Sequence, residues 1–392
     1  MSVSTAASPA APNRASLDAV PWVDVAGSLR AATVAGKRFS GMMREILTLR
    51  RGPGQLTMAE YFYYRLWDSP LSLDEKRQFV GKDAQHAMHL ACNDHGWHGV
   101  TQDKLLFHAA ALGAGLPLPK LLAVAHPTRS LPGVPGLRGA EAAASLLRDP
   151  ALYPFFAKPI DGIYSLGAIN AERLDARGRV CLVGGADRPL AELAAEIVGA
   201  DDGMLIQERL TSDASIARRF GNRLCSVRLF VLLTEHGPRI TRAVCKIPAP
   251  GNLADNFWRA GNMLAAVDLR NGAITRVVRG TGQETEVDFD HPETGQPMVG
   301  AEVPGWADVV ALAERAALTF PGVRTQSWDV ALTHRGPVLL EVNWGGDLNL
   351  AQLAYGRGIL DATYAAHLQA NRYDRPRAER RLRSLRSAVR RD

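Results

Sequence analysis

Over roughly the first hundred residues, apolar positions recur at three- and four-residue steps with few glycines, which predicts amphipathic helices over Val25 to Arg51, Met58 to Leu66 and Leu73 to Asn93. Ser72, three residues before Glu75, is an N-cap with its reciprocal acid. From Gln102 the pattern changes. A helix over Asp103 to Leu112, a Gly-Leu-Pro-Leu-Pro turn at 115–119 and a strand over Lys120 to Ala125 are followed by a loop at 127–139, where prolines and glycines crowd together, and by a helix around Ala140 to Leu147. Strands and helices then alternate to about residue 370, with no internal repeat. Two hairpins stand out. Ser226 to Thr234 faces Ile240 to Ile247 across the turn Glu235-His236-Gly237-Pro238, and Gln326 to Leu332 faces Val338 to Asn343 across His334-Arg335-Gly336-Pro337. The expected class is α+β: a disordered lead-in at 1–20, a helical region at 21–100, a catalytic domain at 101–370 and a tail at 371–392.

Composition changes this picture little, since 46% hydrophobic and 22% charged residues in a 392-residue chain are ordinary globular proportions. No apolar run approaches a membrane span, and Met1 to Pro21 has no continuous segment of signal-peptide type, so a cytoplasmic protein is expected. Cys92, Cys181, Cys225 and Cys245 have no C-x-x-C spacing and read as reduced, buried thiols. Charge is more informative. From Asn371 to Asp392 there are nine arginines against three acids, 9 − 3 = +6, which is the whole net charge of the chain. A neutral body argues against a nucleic-acid-binding surface. In the tail, Leu382, Leu385 and Val389 make an apolar stripe among arginines, as expected of a helix resting on an anionic membrane surface or of a solvated basic terminus.

Candidate chemistry gathers on the strands. Glu341 and Asn343, two residues apart, point the same way from one strand end, and the partner strand carries Asp329. Paired antiparallel, the three converge as oxygen ligands for a hard cation such as Mg²⁺, although the two-residue motif alone also suits a strand leaving the core for solvent. Lys158 ends an apolar strand beside the loop Gly162 to Gly167, an arrangement that serves either as a phosphate clamp or as a surface hairpin. Gln207 and Glu208 end the strand from Met204, where backbone groups can read a base and a carboxylate can bind ribose. Arg228 and Lys246 lie in otherwise apolar strands and require anionic partners, either phosphates or a salt bridge. His86, His89, Cys92, His95 and His98 follow one another at three-residue steps, which suits packing better than zinc because such a series drifts round a helix. Tyr61, Phe62, Tyr63, Tyr64 and Trp67 read as helix packing.

Taken in order over about 101 to 365, these pieces resemble the ATP-grasp superfamily: Asp103-Lys104 with the 115–119 turn, Lys158-Pro159 and its glycine loop, Gln207-Glu208, Arg228, and Asp329 with Glu341 and Asn343. Asp255 to Asn262 looks like the superfamily's Asn-x-x-x-Gly-Gly loop, with Asn262 in place of the second glycine. The helical front with Met58 to Leu66, the phrase Trp328 to Leu332 and the run Gly336 to Asn343 are similar to the sugar-transfer-associated ATP-grasp family, found with genes for cell-surface polysaccharides. The resemblance implies ATP held between two α+β subdomains with one or two Mg²⁺ ions, Mn²⁺ being an alternative. It implies contact with the nucleotide from Lys104, Lys158, Gly162, Ser165, Gly167, Gln207, Glu208 and Lys246. Arg228, Asn256 and Arg259 would act on the transferred phosphoryl group, and Asp329, Glu341 and Asn343 would hold metal. The expected activity is ligation of a carboxylate to an amine or thiol, with a small-molecule or sugar substrate; a kinase-like phosphotransferase and a non-catalytic nucleotide-binding accessory protein are the alternatives.

Overall fold

The structure is a computed structural model that describes residues 23–162, 167–250, 252, 257 and 259–372. The lead-in at 1–20, the tail from 373, Ser165 and Asn256 lie outside the described residues.

The helical front is more broken than its periodicity predicts. The first long helix is two, α1 (Val25–Val34) and α2 (Phe39–Arg51), because the chain reverses at Gly36, whose φ of +82° favours a residue without a Cβ. Next comes α3 (Met58–Tyr63), opened by Thr57 and Glu60 in a reciprocal capping box. The helix expected from Leu73 to Asn93 is likewise divided, into α4 (Leu73–Lys76), capped by Ser72 and Glu75, and α5 (Lys82–Cys92). Tertiary contact overrides helical periodicity there. Phe79 and Val80 are buried, and the Val80 N–H donates to the Gln352 side chain at 2.7 Å rather than to a carbonyl of its own helix. Then follow α6 (His98–Gln102) and α7 (Lys104–Gly113), with Asp103 capping the N-terminus of the latter.

The first sheet contains β1 (Leu121–Ala125), β2 (Gly136–Leu137), β3 (Phe155–Pro159), β4 (Ile169–Leu174), β5 (Arg179–Leu182), β6 (Arg188–Pro189) and β7 (Met204–Glu208) in the order β2-β1-β7-β3-β4-β5-β6. Helices α8 (Ala140–Leu147) and α9 (Leu190–Gly199) cover one face, over Ala123, Phe155, Ala157 and Ile206. Strand alternation therefore turns Phe156, Lys158 and Gln207 to the other face.

After α10 (Ala214–Phe220), the second sheet has the order β12-β11-β10-β9-β8-β13-β14. Its strands are β8 (Ser226–Thr234), β9 (Gly237–Ile247), β10 (Met263–Val267), β11 (Ile274–Arg279), β12 (Glu286–Val287), β13 (Thr325–Thr333) and β14 (Gly336–Trp344). One face packs on α7, α10 and α11 (Trp306–Thr319) through Val227, Leu229, Cys245, Trp328 and Val330. The opposite face, with Phe230, Val244 and Leu264, packs on α5, α12 (Leu348–Tyr355) and α13 (Ala362–Ala370). Both faces are thus apolar over most of their length, so a charged side chain on an inner strand stands out as needing a partner. Among the described residues no helix is long and apolar enough to cross a membrane.

Candidate active site

A cavity of about 1080 Å³ is lined by both sheets together with α5 and α6. Of the residues singled out from the sequence, Lys104, Lys158, Gly162, Gln207, Glu208, Arg228, Lys246, Asp329, Glu341 and Asn343 all line it. Gly167 and Arg259 are not among the lining residues: Gly167, at φ +71°, packs on the Pro159 ring, and Arg259 is half-buried in the bend that leads to β10.

The register of β13 and β14 explains how the strand residues meet. Asp329 lies opposite Glu341 and Ser327 opposite Asn343, so all four side chains share a face. A bulge sits between Asp329 and Val330 and leaves Leu340 as the extra residue, one position before Glu341 rather than between Glu341 and Asn343. The alternation of Glu341 and Asn343 survives for that reason. The Leu340 carbonyl faces the other sheet, where it accepts a long 3.4 Å bond from Lys158 Nζ.

The three strand charges form one buried network. Arg228 grips Asp329 with Nε and Nη2, both at 2.6 Å, and Lys246 Nζ donates to the same carboxylate at 3.0 Å. Burial works to raise the Asp329 pKa, but the two cations outweigh it and hold the carboxyl well below its ordinary range. Glu341 stands 3.9 Å from Arg228 and remains partly exposed to the cavity. Of the alternatives from the sequence, the salt bridge is present: Asp329 answers both cations, and Glu341 stands next to Arg228 at the cavity wall. Across the cavity, burial pushes Lys158 down to about 8 against the opposing pull of Glu341.

At the end of β7, Glu208 accepts from the Lys120 N–H at 2.7 Å and pairs with the Arg335 guanidinium, so the turn of the 334–337 hairpin reaches back to the first sheet. Gln207 is buried beside it on the cavity side. Lys104 Nζ donates to the Gly162 carbonyl at 2.6 Å and tethers the start of the glycine loop.

Among the described residues no group of three or more His, Cys, Asp and Glu side chains is arranged to hold a metal ion. Asp329 is committed to Arg228 and Lys246, which leaves Glu341 and Asn343 as the oxygen donors. That pair fits Mg²⁺, which is bound through one or two protein ligands with phosphate and water oxygens completing the octahedron. The Asn343 Nδ2 is buried without a hydrogen-bond partner, so no protein acceptor ties the amide to another role.

The histidine series has a different use from metal binding. His89, His95 and His98 set their rings edge-on around Trp344, at centroid distances of 6.4, 5.7 and 5.1 Å. His89 is fully buried and neutral, burial taking it down to about 3. Its ring lies so close to Gly345, at φ +91°, that a Cβ there would stand 2.3 Å from it. The residues that sequence reasoning passed over at this end of the cavity, Lys82, Gln85, Thr101, Gln102 and Asp347, carry no motif of their own; the three-residue histidine spacing was the available signal.

Two seven-stranded sheets that converge a lysine, a half-buried arginine and a strand-end Glu-x-Asn on one cavity have the ATP-grasp architecture. Residues 84–367 match the family described as sugar-transfer associated ATP-grasp, and the chain belongs to that family. Solved structures similar to it include the ATP-grasp ligase PsnB complexed with minimal precursor, at 17% identity, 71% of this chain, 64% of that chain and a TM-score of 0.39. The D-alanine-D-alanine ligase from Coxiella burnetii is similar at 13% identity, 76% and 64% coverage and a TM-score of 0.40. Biotin carboxylase from Campylobacter jejuni is similar at 11% identity, 71% and 48% coverage and a TM-score of 0.42. The chain spans less than two thirds of the length of each of these structures. No curated protein matches it.

Proposed function

We propose that the chain is an ATP- and Mg²⁺-dependent ligase that activates a carboxylate as an acyl-phosphate and joins it to an amine or thiol, in the synthesis or modification of a cell-surface polysaccharide. The observation that carries this reading is the Arg228–Asp329–Lys246 network set beside Glu341 and Asn343 and opposite Lys158. A binding protein needs cations for the phosphates; the further provision of a half-buried, bidentately fixed guanidinium beside strand-end oxygen donors suits charge that moves during reaction.

Glu341 and Asn343 would hold Mg²⁺, which when bound would neutralise phosphate charge. Gln207 and Glu208, at the end of β7, would bind base and ribose, and Lys104 and Lys158 would supply positive charge for the phosphates. A substrate carboxylate oxygen attacks the γ-phosphorus, the bond from that phosphorus to the bridging oxygen breaks, and ADP leaves with the electron pair. The amine or thiol then attacks the acyl carbon, phosphate departs, and the nucleophile loses its proton. Arg228 is fixed by Asp329 before substrate arrives, so little reorganisation accompanies charge development on the transferred phosphoryl group.

Incubation with ATP, Mg²⁺ and a pool of amino acids and uronic acids is expected to release ADP and inorganic phosphate in equal amounts. ADP without phosphate identifies a phosphotransferase and overturns the ligase reading. No ADP at all overturns enzymatic activity.

Lys158→Ala is expected to weaken ATP binding by roughly 1.5–3 kcal/mol, the scale of a hydrogen bond to a charged group. In the free protein Lys158 is half-protonated at about pH 8. Nucleotide phosphate favours its charged form, so binding near that pH takes up a proton and affinity falls as pH rises above 8. Calorimetry in buffers of different ionisation enthalpy measures this uptake; Lys158→Ala abolishes it if the assignment is right.

A further inference from the structure

The cavity has a second end, beyond Glu341 and Asn343, whose wall comes from the helices that precede the sheets. Gln85 and His86 of α5 and His98, Thr101 and Gln102 of α6 line it. α5 and the turn before it are tied to α12, Gln85 accepting from the Leu348 N–H at 3.0 Å and Gln352 bonding both ways with the Val80 backbone, while α6 packs on α7 and β14. The wall is therefore part of the catalytic body. The volume of about 1080 Å³ is at the upper end of the usual range for a small-ligand pocket, roughly 300–1,000 Å³.

The chemistry of this end differs from that of the other. Lysines 104, 158 and 246 and Arg228 line the nucleotide side. Here Lys82 and Asp347 cancel each other at 2.8 Å, each only 15% exposed. The groups presented are imidazoles, amides and the Thr101 hydroxyl, which donates to the His98 carbonyl and keeps its lone pairs to accept, with the Asp161 carboxylate close to His98 as a further acceptor. A wall of such donors and acceptors, with one carboxylate and no unpaired cation among them, suits hydroxyl groups, which both donate and accept.

We propose that this end binds the hydroxylated ring of a sugar acid, whose carboxylate is directed toward Glu341, Asn343 and Arg228. The inference rests on the nucleotide occupying the Lys158 side, as in the function proposed above. It assigns the helical front of the chain to recognition of the substrate that is activated.

All four native cysteines are buried, so a cysteine placed on the wall can be read with little background. Thr101→Cys is expected to react with N-ethylmaleimide, and glucuronate at about twice its dissociation constant slows that reaction about threefold. Succinate at the same concentration, and ADP with Mg²⁺, leave the rate essentially unchanged. No labelling, protection by glucuronate no greater than by succinate, or full protection by ADP with Mg²⁺ alone overturns the proposal. Calorimetry of ADP with Mg²⁺ on the same variant separates the two readings: absent binding refutes the nucleotide site, whereas the sugar-acid result is read from labelling. Gln102→Cys replaces Thr101→Cys if the latter loses the wild-type circular dichroism.

Discussion

Glu341→Ala and Asn343→Ala each lose turnover by on the order of 10²- to 10³-fold, the scale of removing one preorganised electrostatic contact in an active site. Both side chains emerge from the end of β14 into the cavity rather than into either core, and neither belongs to the apolar clusters that hold the second sheet. Their removal therefore costs little stability. The expected pattern is unchanged circular dichroism and urea midpoint with ADP formation near background. It follows from the geometry that Asp329 leaves behind: with that carboxylate held by Arg228 and Lys246, Glu341 and Asn343 are the oxygen donors left for Mg²⁺, and one cannot replace the other. The direct check is titration of Mn²⁺, followed by paramagnetic resonance, in the presence of ADP. Normal ADP formation by either variant removes that residue from the metal site.

The strand pattern was legible because its physics is local. A hairpin turn and a two-residue period fix which side chains share a face, so the meeting of Asp329, Glu341 and Asn343 follows from the 326–343 stretch alone. Lys158 was legible for the same reason, as a charge at the end of an apolar strand. The interruptions of the helical front were not. Gly36 gives a local sign, but the break after Lys76 depends on Val80 reaching Gln352, a contact across 272 positions that periodicity does not encode. Nor does a single strand reveal that Asp329 serves Arg228 and Lys246. Arg228 lies directly opposite Asp329 in the β8–β13 pairing, while Lys246 approaches from β9 on the far side of β8. Three strands must be assembled before one carboxylate is seen to answer two cations. The second end of the cavity was hidden for a similar reason, since α5 and α6 reach the cavity only by packing beside the 344–347 turn.

Asp329→Ala is expected to destabilise the fold by about 3–5 kcal/mol, because it takes from Arg228 and Lys246, both largely buried, the carboxylate that each bonds, rather than removing one favourable contact. Asp329 is 3% exposed and Lys246 is 5% exposed, so water from the cavity replaces the lost carboxylate only in part. The sign of the pH effect follows from the same pair of cations. Their field holds the folded-state pKa of Asp329 below its unfolded value, so its contribution is fully present above about pH 4 and is lost as pH falls toward the folded pKa. Between neutral pH and about pH 4, the difference in urea unfolding free energy between wild type and Asp329→Ala should therefore stay nearly constant, and it should narrow below that. Replacing Lys246 as well separates a lost bond from a stranded charge. In Asp329→Ala/Lys246→Met one buried cation is gone and a side chain of similar length fills its place, so the double variant should be more stable than the Asp329→Ala single variant. If the double variant is instead less stable by the full sum of the two single changes, the carboxylate and the lysine act independently, and the network ceases to explain why Arg228 is held ready at the cavity wall.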